Sequence, residues 1–239
     1  MVKQQSPALV ANVSRRTGRR QALLRDNGLS LATFGLFVVF LIGQTATGFV
    51  ELNNDLAEHG RPAIALPAYL TSGHFIEATA ENWESEFLQM AAYVLLTVAL
   101  FQKGSAESKE IGRPESVDRD PRLARSKAGV PWPVRRGGWV LRLYENSLAL
   151  ALLLLFFVSF GLHAVGGAWA YNVSQAEHGG QPLSVVGYLE TPQFWFESFQ
   201  NWQSEFLSLA AMVVLSIFLR QRGSPESKPV DAPHSQTGS

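Results

Sequence analysis

Two short segments carry carboxylate, amide and hydroxyl side chains in a pattern that could bind a cation. Residues 82–88 read Asn-Trp-Glu-Ser-Glu-Phe-Leu, and residues 201–207 read Asn-Trp-Gln-Ser-Glu-Phe-Leu. On a helix, side chains three, four and seven positions apart lie on one face, so each segment predicts a polar stripe that points into a helix bundle. The stripe residues are Asn82, Ser85, Glu86 and Gln89 in the first segment, and Asn201, Ser204, Glu205 and Ser208 in the second.

The two stripes have two interpretations. Oxygen ligands suit hard cations, so Glu86 and Glu205 could concentrate or coordinate a cation, or relay protons, at the outer mouth of a bundle. Alternatively, the same side chains hydrogen-bond neighbouring helices and cap loop backbone near the membrane surface.

A second repeated motif, Glu-His-Gly, offers histidine and carboxylate ligands. Its two copies are Glu58-His59-Gly60 and Glu177-His178-Gly179. Neighbouring Glu and His side chains diverge by about 100° on a helix, but two His and two Glu from both copies would together suit zinc or another divalent cation. The alternative is a helix end, because His favours the last turn of a helix and Gly the position after its cap.

Two polar residues lie at matching positions in apolar segments, Gln44 in one and His163 in the other. An ionisable residue inside a membrane helix is a candidate functional residue. A single histidine of this kind does not supply both axial ligands of a haem, so we do not expect haem. A hydrogen bond from His163 to Gln44 or Ser159 is the simpler interpretation.

Four apolar segments must position these residues, and they comprise residues 29–50, 87–101, 147–169 and 206–219. About 20 helical residues cross the hydrocarbon core of a bilayer. The first and third segments are long enough, whereas the second and fourth need helices that begin outside the membrane. We therefore predict four transmembrane helices, joined on the outer side by two long loops that contain short helices.

The chain repeats itself at a separation of 119 residues, as from Asn82 to Asn201. This repetition indicates a tandem duplication. The predicted fold is an all-α integral membrane four-helix bundle built from two tandem helical-hairpin repeats of parallel topology. The predicted organisation is a basic arm at 1–28, repeat 1 at 29–109, a linker at 110–140, repeat 2 at 141–228 and a tail at 229–239.

Charge predicts the orientation of the chain. Lys and Arg cluster in the arm and the linker, whereas the outer loops are acidic. Cytoplasmic segments are enriched in Lys and Arg, so we expect both termini and the linker in the cytoplasm. The basic segments lack interleaved aromatic residues, and we expect them to meet membrane lipids and not nucleic acid. The chain has no cysteine, which excludes disulfides, thiolate metal sites and cysteine nucleophiles.

Three motifs together carry a resemblance to a known family: Asn-Trp-x-Ser-Glu-Phe-Leu, Glu-His-Gly and a closing Gly-Ser-x-Glu-Ser-Lys at 104–109 and 223–228. The chain resembles an uncharacterised family of bacterial four-span membrane proteins, classed as a domain of unknown function. The resemblance covers both repeats and implies a location in the bacterial inner membrane. It implies no activity, cofactor or catalytic residue.

Three functions fit these patterns, and none has a predicted catalytic residue; an enzyme is the less favoured class. The first is a small membrane protein that handles a cation or small solute at an acidic outer vestibule. The second is a non-catalytic scaffold or accessory subunit that binds a membrane-protein partner or a second copy through its outer loops, where we expect exposed aromatic side chains at 194–196. The third is a membrane metalloprotein that uses the Glu-His-Gly motifs.

Overall fold

The computed structural model describes residues 24–238, and the regular elements among them are helices. The longer helices are α1 (Gly28–Glu58), α3 (Gly73–Ala99), α6 (Ser147–Glu177) and α8 (Pro192–Phe218). The shorter ones are α2 (Leu66–Leu70), α4 (Trp132–Arg136), α5 (Gly138–Glu145) and α7 (Val185–Leu189). The predicted all-α class is confirmed for these residues, whereas residues 1–23 of the predicted basic arm lie outside them.

Three helices, α1, α6 and α8, are long and apolar enough to cross a membrane. The prediction of four such helices differs from this finding at α3, which contains the segment 87–101. The first half of α3 carries four glutamates, and the apolar half alone is too short to span a bilayer. The apolar helices indicate a membrane protein.

The connections between the long helices are shorter than the predicted loops, because the helices continue well beyond their apolar segments, although each connection contains the expected short helix, α2 or α7. α1 and α6 end at Glu58 and Glu177, so the connections to α3 and α8 are only residues 59–72 and 178–191. Side-chain caps begin the following helices: Ser72 Oγ accepts from the Phe75 N–H, and Thr191 Oγ1 accepts from the Phe194 N–H.

The described residues up to Leu70 form one compact unit, and those from Thr71 onward form a second. In the first unit, the Asn53 side chain ties α1 to the segment before α2. Its Oδ1 accepts from the Ile64 N–H at 2.7 Å. The Phe49 and Tyr69 rings then meet edge to face, with centroids 5.8 Å apart. These contacts fold α2 back against the end of α1.

In the second unit, α3 packs along α6 and also contacts α8, while α7 contacts both α6 and α8. Two glycines bring α3 and α6 together. A methyl group at Gly73 would lie 2.6 Å from the Ala170 backbone nitrogen, and one at Gly166 would lie 2.6 Å from that of Glu77. No side chain fits at this distance, so the two backbones are in direct contact.

Helix bounds recur along the chain at the separation seen in the sequence. α1 and α6 begin at 28 and 147, α2 and α7 at 66 and 185, and α3 and α8 at 73 and 192, each pair 119 residues apart. The tie made by Asn53 also recurs, since Asn172 Oδ1 accepts from the Leu183 N–H at 2.7 Å. Corresponding stretches of sequence therefore have the same local structure.

Lys228 closes the second Gly-Ser-x-Glu-Ser-Lys motif and is 1% exposed. Its ammonium group donates to the backbone carbonyls of Gly104, His234 and Gln236. This contact fastens the predicted tail to the residues that follow α3.

Candidate functional site

A buried histidine lies between two glutamates at the centre of the second unit. His163, in the middle of α6, has a side chain that is 0% exposed. Its Nδ1 is 2.8 Å from Glu84 Oε2 on α3, and its Nε2 is 3.4 Å from Glu197 Oε2 on α8. The imidazole ring stacks on Phe194, with centroids 4.7 Å apart. Three helices thus hold one imidazole ring between two carboxylates.

Glu84 is the more enclosed carboxylate, with a side chain that is 0% exposed. While Oε2 faces His163, Oε1 accepts a hydrogen bond from the Trp202 indole N–H at 2.9 Å. Burying an ionised carboxylate is costly unless it is paired and hydrogen-bonded. Both oxygens of Glu84 have partners that meet this requirement.

Glu197 has more hydrogen-bond partners than Glu84. Its Oε2 accepts from the Tyr188 hydroxyl at 2.7 Å, and its Oε1 accepts from the Gln193 amide at 2.9 Å. Burial raises the pKa of Tyr188, as does its hydrogen bond to Glu197, so the phenol keeps its proton. The same hydroxyl is 3.2 Å from Glu77 Oε1. A phenol has a single proton, so it cannot donate fully to both carboxylates.

Adjacent glycines on α6 make room for this group of side chains, which we call the His163 centre: Glu77, Glu84, His163, Tyr188 and Glu197. A methyl group at Gly167 would lie 2.5 Å from the Tyr188 ring, and one at Gly166 would meet the backbone of α3 beside Glu77. The Gly-Gly pair therefore lets Tyr188 and Glu77 reach the same region as His163, which lies one helical turn earlier on α6.

The centre has more negative than positive side chains. Glu81 also interacts electrostatically with His163, Glu84 and Glu197. One imidazolium can offset only one carboxylate, and unpaired charges are strongly disfavoured away from water. The remaining carboxylates therefore require protons or a bound cation. The centre is open on one side, because the Glu197 side chain is 21% exposed.

A model of the family described as "Domain of unknown function (DUF6766)" matches residues 20–239. The chain belongs to this family. The DUF6766 match includes every residue of the His163 centre. Neither a curated protein nor a solved structure matches the chain.

The two predicted polar stripes of this DUF6766 protein meet at one point. The Gln89 amide donates to the Glu205 backbone carbonyl at 2.8 Å and to Ser208 Oγ at 3.2 Å. Glu86 is exposed and acts electrostatically on Glu205. The other predicted members bond to carbonyls of their own helices, and they are Asn82, Ser85, Asn201 and Ser204.

Both Glu-His-Gly motifs lie at helix ends. His59 Nδ1 is 2.9 Å from the Asp55 carbonyl, and His178 Nδ1 is 2.8 Å from the Ser174 carbonyl. The glycine after each histidine has a positive φ, +67° at Gly60 and +72° at Gly179. This geometry agrees with the helix-end interpretation. The divalent-metal site predicted at His59, His178, Glu58 and Glu177 stays a prediction.

Two further expectations change with the structure. The ring nitrogens of His163 face Glu84 and Glu197, whereas the sequence favoured Gln44 or Ser159 as its partner; Gln44 lies half-buried on α1 in the first unit. Phe194 was expected to be exposed, but it is 0% exposed because it packs on His163. Its neighbours Trp195 and Phe196 are exposed.

Sequence reasoning found His163 but missed the acids around it. Comparison of the two repeats could have identified these acids, because they differ between the copies. Glu84 stands where the second copy has Gln203, and Glu197 stands where the first copy has Ala78. His163 similarly matches Gln44. Four of the five residues of the centre therefore stand at positions where one copy alone has an ionisable group, and the exception is Tyr188, which matches Tyr69.

Proposed function

We propose that this protein takes up and transfers protons within a membrane, through the His163 centre. The observation that carries the proposal is the imidazole ring held between two carboxylates on α6, a helix apolar enough to cross a membrane. Ionisable residues inside transmembrane helices serve in proton relays and ion pathways. The sequence analysis placed cation handling at Glu86 and Glu205. The proposal assigns it instead to the His163 centre, in the interior of the second unit.

The contacts define the transfer step. An imidazole can accept a proton on one nitrogen and release one from the other. Glu84, as the acid, gives its proton to Nδ1, while the proton on Nε2 passes to Glu197. The ring then returns to its first tautomer before the next transfer. Glu197 is the exit, because it is the partly exposed member of this chain.

A second polar layer supports a longer route. Gln89 contacts Glu205 and Ser208 five residues beyond Glu84 on α3, or about 7.5 Å along a helix axis. Farther along α3, the Tyr93 hydroxyl donates to Glu107. These polar side chains extend from the centre towards the end of α3, and they supply steps for protons in that direction.

The proposal places the chain in the membrane with the predicted topology, in which four helices cross the bilayer. The acids of α3 that lie near His163 point into the protein and not toward lipid, so α3 serves as a fourth membrane helix despite its charge. The linker and both termini then lie in the cytoplasm of a bacterial cell, and the recurring helix bounds reflect a tandem duplication.

Proton flux into proteoliposomes tests the proposal. Vesicles containing the purified protein and an internal pH dye receive a potassium diffusion potential, and dye acidification is recorded. We expect flux well above that of empty vesicles for the wild type, and flux at the level of empty vesicles for His163→Gln and Glu197→Gln.

The matched control is His178→Gln, because His178 is exposed at a helix end and should leave the flux unchanged. Wild-type vesicles no leakier than empty ones would refute the proposal. So would a His163→Gln protein that carries protons as fast as the wild type.

A further inference from the structure

We infer that the open side of the His163 centre binds a divalent transition-metal ion through three ligands, His163 Nε2, Glu197 and Glu77. One ligand atom from each of these residues lies within 4.8 Å of the others. The three come from different helices, α6, α8 and α3. They converge beside the exposed edge of Glu197, which gives an ion a way in.

The separation of two ligand atoms leaves room for a metal ion between them. His163 Nε2 and Glu197 Oε2 are 3.4 Å apart, longer than the ordinary hydrogen-bond distance of about 2.9 Å. Two ligands that each lie about 2.1 Å from a tetrahedral metal ion are about 3.4 Å apart. An ion can therefore sit between these atoms without moving either of them.

The residues that hydrogen-bond to the proposed ligands are of the kinds found around metal sites. A metal-bound histidine usually donates from its other ring nitrogen to a carboxylate, which fixes the tautomer and the ring orientation. His163 Nδ1 faces Glu84 Oε2 at 2.8 Å, and Glu84 is itself held by the Trp202 indole. Tyr188 similarly orients Glu197.

The ligand set indicates the class of metal. One imidazole nitrogen and two carboxylates suit zinc, manganese or iron(II), whereas calcium and magnesium prefer oxygen ligands alone. The two carboxylate charges match a dication. Three protein ligands leave at least one coordination position open to water.

The inference rests on the proposed function, because the same residue, His163, takes up a proton in one and a metal ion in the other. The metal replaces the proton between His163 and Glu197, so metal binding releases protons and should block their transfer. Equilibrium metal binding and proton flux are nevertheless separate measurements.

Titration of the detergent-solubilised full chain with Co²⁺ tests the inference. We expect one Co²⁺ per chain, with the visible absorption of a four- or five-coordinate nitrogen and oxygen site. Glu77→Gln should abolish binding, whereas Glu84→Gln, which keeps all three ligands, should weaken it by about 10- to 100-fold. His234→Ala, at an exposed histidine near the end of the chain, should bind as the wild type does.

Glu77→His supplies a second check, because it replaces one ligand by another and should keep Co²⁺ bound even if Glu77→Gln does not fold. A wild-type protein that binds no Co²⁺, or a folded Glu77→Gln protein that binds it normally, overturns the metal site. Proton flux measured on the same preparations after removal of metal with a chelator separates the two claims: flux without Co²⁺ binding rejects only the metal site, and Co²⁺ binding without flux in the metal-free vesicles rejects only the proton function.

Discussion

His163 and Glu84 form a pair of ionisable side chains that are both 0% exposed, on two neighbouring helices. A buried pair of this kind adds little net stability over an apolar pair, because desolvation offsets the attraction. Removing one partner is different, since the other is left buried with an uncompensated charge. The pair therefore makes the fold sensitive to single substitutions at either position.

His163→Leu should lower the free energy of unfolding by about 3–5 kcal/mol, because it leaves Glu84 with the Trp202 indole but no basic partner. Denaturant unfolding of the protein in detergent, followed by tryptophan fluorescence, measures the change. Replacing both residues, as His163→Leu/Glu84→Leu, should recover much of the loss.

His178→Leu is the control for this substitution and should change stability by less than about 0.5 kcal/mol, as exposed positions usually do. If His163→Leu were as stable as the wild type, the contact between His163 and Glu84 would not exist in solution.

The sequence singled out His163 but not Glu84 and Glu197 beside it, for a physical reason. Glu84 and Glu86 lie two positions apart, so they point to nearly opposite faces of a helix. The repeat favoured Glu86, because Glu205 matches it. Burial selects Glu84, since this face of α3 meets α6 and α8. Sequence periodicity alone does not show which face is covered.

At the scale of the helices, the centre depends on how closely α3 approaches α6. The contact at Gly166 sets this distance, because its backbone touches that of Ile76 and Glu77. Gly161 lies on the same helix but has nothing within 4 Å of the position of a methyl group. The two glycines form a useful comparison, because Gly166 is buried against α3 whereas Gly161 is exposed.

Gly166→Ala should destabilise the protein by about 1–3 kcal/mol, as overpacking does, because the added methyl forces α3 away from α6. Gly161→Ala should be neutral or stabilising by up to about 1 kcal/mol, since alanine favours a helix interior. Thermal unfolding of the two variants in the same detergent makes the comparison. Equal melting temperatures would contradict the close contact between the helices.

The sequence predicted the helices better than their ends. Hydropathy marks the residues that suit lipid, and it stops where a helix becomes polar. α1 and α6 continue into polar sequence until the glycines Gly60 and Gly179, and Ser72 and Thr191 begin the next helices soon afterwards. The caps, and not the apolar segments, set the loop lengths. Hydropathy also underestimates the length of α3, because the glutamates in its first half are polar but face other helices.

For the molecule as a whole, the decisive feature is the location of the His163 centre relative to the bilayer. His163 lies near the middle of α6, with long helical segments on either side. If the apolar part of α6 crosses the membrane, the centre lies inside the bilayer, about 9 Å from the outer end of that part, and its charges need the partners described above. If α6 lies outside the membrane, a buried His–Glu pair has an ordinary structural role.

Labelling of single cysteines in intact membranes tests this location most directly, because the chain has no cysteine of its own. Three exposed positions provide the variants, Ser126→Cys before α6, Gln181→Cys after it and Leu162→Cys at the depth of His163. A membrane-impermeant maleimide should label Gln181→Cys from outside and Ser126→Cys only after lysis. Leu162→Cys should react only after denaturation, although 43% of the Leu162 surface is free of protein contacts. Labelling of Leu162→Cys in intact membranes, or of the other two from the same side, would contradict a proton-transferring centre inside the bilayer.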